Sequence, residues 1–419
     1  MPRHIHIIGA GLAGLSAALS LSGRGEQVVM HEATAFAGGR CRSYHDAAVG
    51  MTIDNGNHLL LSGNRAALDY LREVGAAGRL TGPDEAAFQF VDLAGGERWT
   101  LRLNRGRVPW WVLRPSRRVP GTRALDYLPL ARLLRPPPGK RVDEVIACKG
   151  PLYWRLVEPL LLAALNIDPP RGSAKLAAAV IRETLAQGGA ACRPLLARDG
   201  LSATLVAPAL ATLQKRGAVV QFEHQLHVVR FGGKRIEALD FGGETVALAE
   251  EDAVILAVPP YIAATLVRGL EVPGEFSAIV NAHFKIDPPA GQPAILGVVN
   301  GTVEWLFAFP GRLSVTISAG DRLIDTPREE LAKTIWAEVA GLTGLPGDLP
   351  PWQIVRERRA TFAATPAQDA KRPGAATAWR NLVLAGDWTD TGLPATIEGA
   401  IRSGRRAAEL IGRGRAPSS

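Results

Sequence analysis

The first forty-three residues constrain the fold more than any other part of the chain. Residues 4–8 are predicted to form an apolar strand, a glycine-rich turn follows, and a helix is predicted over Leu15–Leu21. The turn carries the glycines Gly9, Gly11 and Gly14. A second strand, residues 27–31, ends at Glu32, whose carboxylate can accept the hydroxyl groups of a ribose. This order predicts a Rossmann-like α/β domain that binds an ADP-containing dinucleotide at a helix N-terminus, and it leaves NAD and FAD both open.

Length and composition exclude several classes of protein. A chain of 419 residues, of which 47% are hydrophobic, is long enough for two or three domains with apolar cores. The three cysteines are Cys41, Cys148 and Cys192. Their odd number and wide spacing predict neither a disulfide framework nor a metal site, and they indicate a reducing compartment. The sequence begins without a signal-peptide pattern and no window approaches about 20 apolar residues, so we expect a cytoplasmic protein without a spanning helix.

The positive charge of the chain is concentrated in residues 102–141. The formal net charge is +8, and within this segment eleven lysines and arginines are opposed only by Asp126. Trp110 and Trp111 lie in the middle of the segment among leucines and valines. Tryptophans beside arginines are typical of a membrane interface, so we predict peripheral contact with an anionic membrane. The alternatives are a surface excursion whose tryptophans fill a local core, and a nucleic-acid site, for which no sequence motif is present.

The remaining pattern predicts that the chain leaves the first domain twice and returns to it twice. The predicted elements are strands over 218–221, 225–231, 236–241, 253–258 and 381–385, and an amphipathic helix over 395–411. The dinucleotide-binding domain is predicted to comprise residues 1–80, 196–265 and 356–419. Residues 81–195 and 266–355 have mixed character and are predicted to form an interleaved second domain, which includes the basic segment.

Five motifs occur in an order that resembles the flavin amine-oxidase and carotenoid-desaturase superfamily. They are Gly9–Leu21, Gly38–Arg40, Asp54–Gly56, Val254–Pro260 and Leu382–Ala408. Within this superfamily, Asp54–Leu61 and Gly386–Pro394 resemble the squalene-associated FAD-dependent desaturases. The resemblance implies non-covalent FAD in a glutathione-reductase-type domain, with an interleaved α+β substrate domain and a helical, membrane-facing segment.

The same resemblance implies an activity. Members of this branch remove the hydroxyl group of hydroxysqualene, a C30 isoprenoid alcohol, in squalene and hopanoid biosynthesis. The implied protein is therefore an FAD-dependent oxidoreductase, associated peripherally with the inner membrane, which protonates an allylic hydroxyl group and delivers hydride from reduced flavin. A carotenoid-type desaturase, an amine oxidase and a non-catalytic lipid carrier are the alternatives. Because the sequence carries one dinucleotide fingerprint, it assigns no electron donor or reductase.

The resemblance also implies which residues bind the cofactor. Arg40 is expected along its phosphate and ribityl side, the backbone of Val228 at its adenine, Asp387 at its ribityl or pyrophosphate region, and the start of the last helix at the flavin pyrimidine. The full set is Gly9, Gly11, Leu12, Ala13, Gly14, Glu32, Ala33, Gly38, Gly39, Arg40, Asn55, Gly56, Val228, Gly386, Asp387, Pro394, Ala395, Thr396 and Ile397.

The proton donor has three candidates, Asp54, His58 and Asp390, because a hydroxyl leaving group needs an acid. The sequence does not choose among them. Asp54–Gly56 is equally compatible with a simple hairpin turn, since Asn-Gly favours turns, and His58 is equally compatible with a structural histidine. Val228 could likewise be an ordinary residue of a strand core.

Overall fold

The computed structural model describes residues 3–413 of the chain. Its α-helices are α1 (Leu12–Ser22), α2 (Arg65–Glu73), α3 (Glu158–Leu165), α4 (Ala174–Glu183), α5 (Ala207–Lys215), α6 (Pro260–Leu266), α7 (Arg328–Thr343), α8 (Pro366–Ala370) and α9 (Ile397–Arg413). Its strands are β1 (His4–Ile8), β2 (Gln27–His31), β3 (Ser43–Asp46), β4 (Met51–Asp54), β5 (Leu59–Leu61), β6 (Leu80–Thr81), β7 (Ala87–Asp92), β8 (Arg98–Arg102), β9 (Pro194–Ala197), β10 (Val219–Gln221), β11 (Val228–Gly232), β12 (Arg235–Asp240), β13 (Thr245–Ala247), β14 (Ala253–Leu256), β15 (Phe276–Phe284), β16 (Ile295–Val299), β17 (Trp305–Phe309), β18 (Arg312–Ile317), β19 (Trp352–Phe362) and β20 (Leu382–Leu384).

A parallel sheet in the order β10-β2-β1-β14-β20 forms the centre of the first domain. Its inner strands are buried on both faces, which is why β14 is continuously apolar and why β1 combines three buried isoleucines with the buried His6. Ile5, Ile7 and the α1 residues Leu15 and Leu19 are fully buried in one core. The predicted strands 4–8 and 27–31 have the predicted bounds, and the α/β class is confirmed.

Helices α1 and α9 cross in unusually close contact. A Cβ atom at Gly404 of α9 would lie 2.1 Å from the carbonyl oxygen of Ala13 in α1, so only glycine allows this approach. The hydroxyl group of Ser16 in α1 donates to the carbonyl oxygen of Ile401 at 2.9 Å. The two ends of the sequence therefore build one structural unit.

The second domain is built on a sheet in the order β19-β15-β18-β17-β16-β7-β8. One face packs on α7, where Phe284 and Trp336 are fully buried with ring centroids 5.0 Å apart. The opposite face carries Phe90, Trp99 and Trp305, whose rings contact one another and belong to a large apolar cluster that also includes side chains of α3 and α4.

All four predicted domain boundaries divide an element; those at residues 80/81 and 265/266 fall within one residue of the end of β6 and of α6, and the other two are larger errors. The boundary between residues 355 and 356 divides β19, which pairs with β15 along most of its length and belongs to the large sheet. The boundary between residues 195 and 196 divides β9, which pairs with β5 and β6. Both errors have the same cause, because composition does not report the hydrogen bonds that hold a strand to partners distant in sequence.

The basic segment contains two short 3₁₀ helices, Trp110–Leu113 and Ala124–Leu134. The prediction that both tryptophans face a membrane is wrong for Trp111, which is 4% exposed and packs edge-on against Tyr127. Trp110 is 40% exposed. Among residues 3–413, none of the helices is long and apolar enough to cross a membrane.

Candidate active site

The glycine-rich turn after β1 packs too closely for side chains at two of its positions. A Cβ atom at Gly9, whose φ is +103°, would lie 2.6 Å from the carbonyl oxygen of Ala257. A Cβ atom at Gly14 would lie 2.0 Å from the carbonyl oxygen of Gly9. Gly11 differs, because apart from its chain neighbours no described heavy atom lies within 4 Å of where its Cβ would be. The turn therefore packs tightly against neighbouring backbone at Gly9 and Gly14 and leaves free space beside Gly11.

The open side of Gly11 is suited to an anion. Helix α1 begins at Leu12, so the N–H groups of Leu12 and Ala13 and the positive end of the helix dipole lie at this point. A second glycine turn approaches from the other side: Gly38 donates to the carbonyl oxygen of Ala10 at 2.8 Å, and a Cβ atom at Gly39 would meet Gly11 Cα at 3.5 Å. Two backbone turns thus border one space.

Glu32 connects this turn to the end of β2. Its Oε2 atom accepts the N–H group of Ala10 at 2.8 Å, and its Oε1 atom accepts the N–H and hydroxyl groups of Thr34 at 3.0 and 2.8 Å. The carboxylate is fixed beside the glycine turn and beside Ala33, in the position from which an acid binds ribose in this fold. Ribose binding by Glu32 stays a prediction.

Val228 lies at the start of β11 and is 50% exposed, so the alternative that it fills a strand core is wrong. The chain before it is tied to the segment after β2, because His224 donates to the carbonyl oxygen of Glu32 at 2.9 Å and Glu223 donates to that of Thr34 at 3.1 Å. Contact between Val228 and an adenine stays a prediction.

Arg40 and Asp387 join two parts of the chain that are 347 residues apart. The Nη2 atom of Arg40 lies 2.7 Å from both carboxylate oxygens of Asp387, and its Nη1 atom donates to the carbonyl oxygen of Ala360. The Asp387 side chain is buried, whereas 43% of the Arg40 side chain is exposed. The carboxylate therefore holds the guanidinium in place and leaves it accessible to an anionic ligand.

The N-terminus of α9 is preceded by Pro394, Ala395 and Thr396. The Thr396 hydroxyl oxygen accepts the N–H group of Gly399 at 3.0 Å, and thereby caps the first turn. The carboxylate of Glu398 does not neutralise this turn, because it accepts the N–H groups of Ala66 and Ala67 at the start of α2 and pairs with an arginine of α9. The positive end of the α9 dipole remains available to a developing negative charge, as the prediction for Ile397 requires.

Asp54 is the first predicted proton donor, and its contacts argue against that role. Its Oδ1 atom accepts the Ser43 hydroxyl group at 2.6 Å and the Leu201 N–H group at 2.8 Å, and Oδ2 lies 3.8 Å from Arg312. The carboxyl oxygens of Asp54 are thus occupied by groups of the protein itself. The alternative of a hairpin turn at Asp54–Gly56 is also wrong, because the β3–β4 hairpin closes over residues 47–50.

His58 is fixed as a neutral imidazole. Its Nδ1 atom lies 2.9 Å from the carbonyl oxygen of Gly56, which can only accept, so Nδ1 carries the proton and Nε2 carries the lone pair. Burial lowers the pKa of His58, and the Gly56 carbonyl and Asp54 offset this only in part. At neutral pH, His58 is therefore a proton acceptor at Nε2 and not the donor that the sequence suggested.

Asp390, the third predicted donor, lies at the surface. Its side chain is 49% exposed, and its Oδ1 atom lies 3.7 Å from the Lys175 ammonium group. Its N–H group donates to the carbonyl oxygen of Pro373 at 2.8 Å, which fixes the loop after Asp387. An exposed carboxylate beside a lysine is poorly suited to donate a proton inside an apolar site.

Comparison with known proteins assigns the family. A model of flavin containing amine oxidoreductases matches residues 12–412. The chain is 61% identical to hydroxysqualene dehydroxylase from Rhodopseudomonas palustris over 98% of this chain and 99% of the relative. This chain belongs to the hydroxysqualene dehydroxylase family. The hydroxysqualene dehydroxylase from Sinorhizobium fredii is 59% identical over 98% of both chains, and the resemblance predicted from the sequence motifs is confirmed.

Solved structures support the fold of the family at much lower identity. Cyclohexylamine oxidase from Brevibacterium oxydans aligns with a TM-score of 0.71 over 99% of both chains at 16% identity. An oxidoreductase from Methanosarcina mazei aligns with a TM-score of 0.71 over 97% of this chain and 100% of its own, at 15% identity. The interleaved two-domain architecture is thus that of the flavin containing amine oxidoreductases.

The described residues fit FAD, the cofactor of this family. The space at Gly11 borders two backbone turns, Glu32 is fixed beside one of them, and Arg40 offers an accessible cation paired with Asp387 of the C-terminal fingerprint. The N-terminus of α9 adds a positive dipole. The choice between NAD and FAD, which the N-terminal motif alone left open, is therefore decided for FAD by the family and by the second fingerprint.

Arg372 supports the site and was missed by sequence reasoning. It is buried, and its guanidinium donates to the carbonyl oxygens of Asp387 and Thr389 and to the Thr391 hydroxyl group. Asp369 balances its charge at 3.1 Å. These hydrogen bonds fix the loop after Gly386. Arg372 itself lies in a Pro-rich stretch without a motif, so the sequence did not indicate its role.

Glu304 is a second residue that the sequence did not single out. Burial is the largest effect on its carboxyl group and raises the pKa to about 7, despite a hydrogen bond from Ser318 N–H at 2.7 Å and attraction to Arg322. It directly precedes Trp305, the first residue of β17. A buried carboxyl group with a pKa near 7 is typical of residues that exchange a proton.

Proposed function

We propose that this chain catalyses the FAD-dependent reductive dehydroxylation of hydroxysqualene to squalene. The observation that carries the proposal is the 61% identity to a hydroxysqualene dehydroxylase over almost the whole chain. The cofactor site supports it, since Arg40, Asp387 and the two glycine turns form a connected cradle for FAD. Relatives at 25% identity, such as a probable zeta-carotene desaturase from Synechococcus elongatus, support the alternative less strongly.

The reaction replaces one C–O bond of the substrate with a C–H bond. The C–O bond of the allylic alcohol breaks with its electron pair on oxygen, a C–H bond forms, and a proton converts the leaving hydroxide to water. Reduced FAD, when bound, supplies the hydride with its two electrons. The protein must therefore hold a hydrocarbon chain, exclude bulk water and provide one proton at the leaving oxygen.

Apolar side chains on the large sheet are suited to hold the hydrocarbon. Leu196, Ile295 and Phe307 are buried together, with Leu59 and Trp305 against them. Transfer of a C30 chain to such a surface gains about 25 cal/mol for each Å² removed from water, so binding does not need polar contacts. Polar contacts are needed only to orient the hydroxyl group and to protonate it.

Glu304 is the proton donor that we propose in place of the three predicted residues. Its carboxyl group is half protonated near neutral pH, because burial raises its pKa to about 7. Its neighbour Trp305 belongs to the apolar surface. His58, with its lone pair at Nε2, is suited to accept a hydrogen bond from substrate rather than to donate a proton.

Product formation tests the proposal and separates it from its rivals. The holoenzyme is reduced anaerobically and incubated with hydroxysqualene, and in a second arm the oxidised enzyme is incubated with phytoene. We expect squalene in the first arm and no desaturated product in the second. Desaturated phytoene without squalene would establish the desaturase alternative, and absence of product in both arms would support a lipid carrier.

We further propose that the basic segment docks on anionic membranes to reach its water-insoluble substrate. Large apolar side chains project from it into solvent, with exposures of 40–75%: Val108, Trp110, Leu113, Leu125 and Leu128. The guanidinium groups of Arg114 and Arg117 lie 5.0 and 5.1 Å from the ring centroid of Trp110. Apolar side chains surrounded by cations match the headgroup layer of an anionic bilayer, where each arginine contributes roughly 1 kcal/mol.

Liposome sedimentation tests this docking. Trp110→Ala should weaken binding to anionic vesicles severalfold and leave the FAD content unchanged, because the side chain is exposed and is not among the residues predicted to bind the cofactor. Phe222→Ala is a matched control, since Phe222 is 39% exposed but lies outside the basic segment. Equal binding of Trp110→Ala and wild-type protein would remove the docking proposal, whereas loss in both variants would indicate a non-specific effect.

A further inference from the structure

One arginine connects three helices that are distant in sequence. Arg402 lies on α9, and its Nη1 and Nη2 atoms donate to the two carboxylate oxygens of Glu183, the last residue of α4, at 2.8 and 2.6 Å. Its Nε atom donates to the Oε1 atom of Glu398, one turn earlier in α9, at 2.8 Å. Paired hydrogen bonds between a guanidinium and a carboxylate fix the geometry of both groups. The position of Arg402 is therefore set by α4 as well as by its own helix.

Glu398 caps a helix other than its own. It is the second residue of α9 and is 3% exposed, and its Oε1 and Oε2 atoms accept the N–H groups of Ala66 and Ala67 at 3.0 and 2.9 Å. These N–H groups belong to the first turn of α2. The preceding residue, Asn64, does not cap this turn, because its Oδ1 atom accepts the Leu61 N–H group instead. The Glu398 carboxylate thus supplies the cap that α2 lacks.

The charge of Glu398 needs a counter-charge because of where it lies. A carboxylate in the first turn of α9 offsets the positive end of that helix dipole, and burial strengthens its effect. Arg402 supplies a positive charge within hydrogen-bond distance, and a guanidinium stays protonated in proteins. Glu183 shares the guanidinium, but its side chain is 33% exposed and is screened by water, whereas Glu398 is buried. The start of α9, where the flavin pyrimidine is predicted, therefore keeps its positive potential.

We propose that Arg402 is a positioning residue for the cofactor, which holds and compensates the Glu398 carboxylate and thereby raises the reduction potential of the bound flavin. Uptake of two electrons and one proton leaves a net negative charge on the flavin ring. An uncompensated carboxylate in the first turn of α9 would disfavour that charge, and Arg402 removes this penalty. The role requires FAD at the start of α9 but does not depend on the identity of the substrate.

Reduction potentials of the holoenzyme test this inference without turnover. The flavin is reduced slowly without oxygen beside a reference dye, at one fixed pH. For Arg402→Gln, we expect two-electron reduction to be about tenfold less favourable, which is a shift of about 30 mV to lower potential. Arg402→Lys keeps the charge and should stay close to wild type. Arg406→Gln is the matched control, since Arg406 is an exposed arginine of the same helix that pairs with Glu409.

A charge cycle separates this electrostatic role from a purely structural one. Glu398→Gln keeps an oxygen for α2 but removes the negative charge, so it should raise the potential, and adding it to Arg402→Gln should restore most of the loss. A structural role predicts instead that the double variant is at least as impaired as Arg402→Gln. FAD content and melting temperature are measured for each variant.

Two results would overturn the inference. The first is a wild-type potential in FAD-loaded Arg402→Gln, and the second is a double variant that recovers nothing. If Arg402→Gln does not retain FAD, Glu398→Gln decides alone, because an unchanged or lowered potential in that variant contradicts the proposed compensation. Neither result bears on hydroxysqualene turnover, which is measured separately.

Discussion

At the scale of residues, burial and hydrogen-bond direction determine which polar side chains can move a proton. His58 is held in a proton-accepting form by a carbonyl that fixes its tautomer, and the oxygens of Asp54 are occupied by the Ser43 hydroxyl group and the Leu201 N–H group. Glu304 differs, because its environment keeps a proton on the carboxyl group up to about pH 7. Environment, and not residue type, is therefore the reason for proposing Glu304 as the acid.

The role of Glu304 predicts a pH dependence. Because the protonated form is the active one, kcat/KM should fall about tenfold per pH unit above about pH 7. Glu304→Gln should reduce kcat/KM by about 10²- to 10⁴-fold and remove this dependence. Glu330→Gln, an exposed glutamate of α7, is the control and should behave as wild type. A Glu304→Gln variant that keeps both the rate and the alkaline decline would exclude Glu304 as the donor.

At the scale of elements, the contact between α1 and α9 brings the two fingerprints together. Gly11 lies at the start of α1, and Thr396 immediately precedes α9. The helices can approach only because residue 404 has no side chain, since its Cβ would overlap the Ala13 carbonyl oxygen. The geometry of the cofactor site thus depends on a glycine that is remote from the cofactor.

Gly404→Ala should separate these helices. The added methyl group forces a backbone shift that costs about 1–3 kcal/mol of unfolding free energy, and we expect less bound FAD. Gly341→Ala in α7 is the matched control, because no described atom lies within 4 Å of its Cβ position and alanine favours helix, so stability should rise by up to about 1 kcal/mol. Urea unfolding and flavin absorbance measure both effects, and equal stability of the two variants would contradict this account.

At the scale of the whole molecule, buried histidines couple stability to pH. Burial, as the largest cause, lowers the pKa values of His31 and His283 to about 3. Below about pH 6.5 the unfolded chain binds protons that the folded chain does not, so stability is lost as the pH falls towards about 3. Glu304 makes the opposite contribution to stability. Because its pKa is raised, the folded protein binds a proton at a higher pH than the unfolded chain does.

His283→Asn isolates one of these contributions. Wild-type protein should lose about 1.4 kcal/mol of unfolding free energy per pH unit through this histidine between about pH 6.5 and pH 3, and the variant should show a slope smaller by that amount. His45→Asn, at an exposed position, is the control. Denaturant unfolding at a series of pH values gives the slopes, and identical slopes for wild type and His283→Asn would contradict the prediction.

The parts of the molecule that the sequence predicts are those determined locally. The spacing from Gly9 to Glu32 predicts the first strand, turn and helix, since each depends on neighbouring residues. The contacts of Asp54 depend on Leu201 and the tautomer of His58 on the Gly56 carbonyl, and Trp111 is buried whereas its neighbour Trp110 is exposed. These contacts depend on the tertiary structure, so the local sequence does not predict them.

One measurement tests the central claim most directly, which is that reduced flavin in this chain is consumed by hydroxysqualene. The holoenzyme is reduced without oxygen and mixed with hydroxysqualene in a single turnover, and flavin absorbance and squalene are followed together. We expect the oxidised flavin spectrum to return at the rate of squalene formation, with one squalene per flavin. Flavin that stays reduced while squalene fails to form, or flavin that is reoxidised without squalene, would contradict the account.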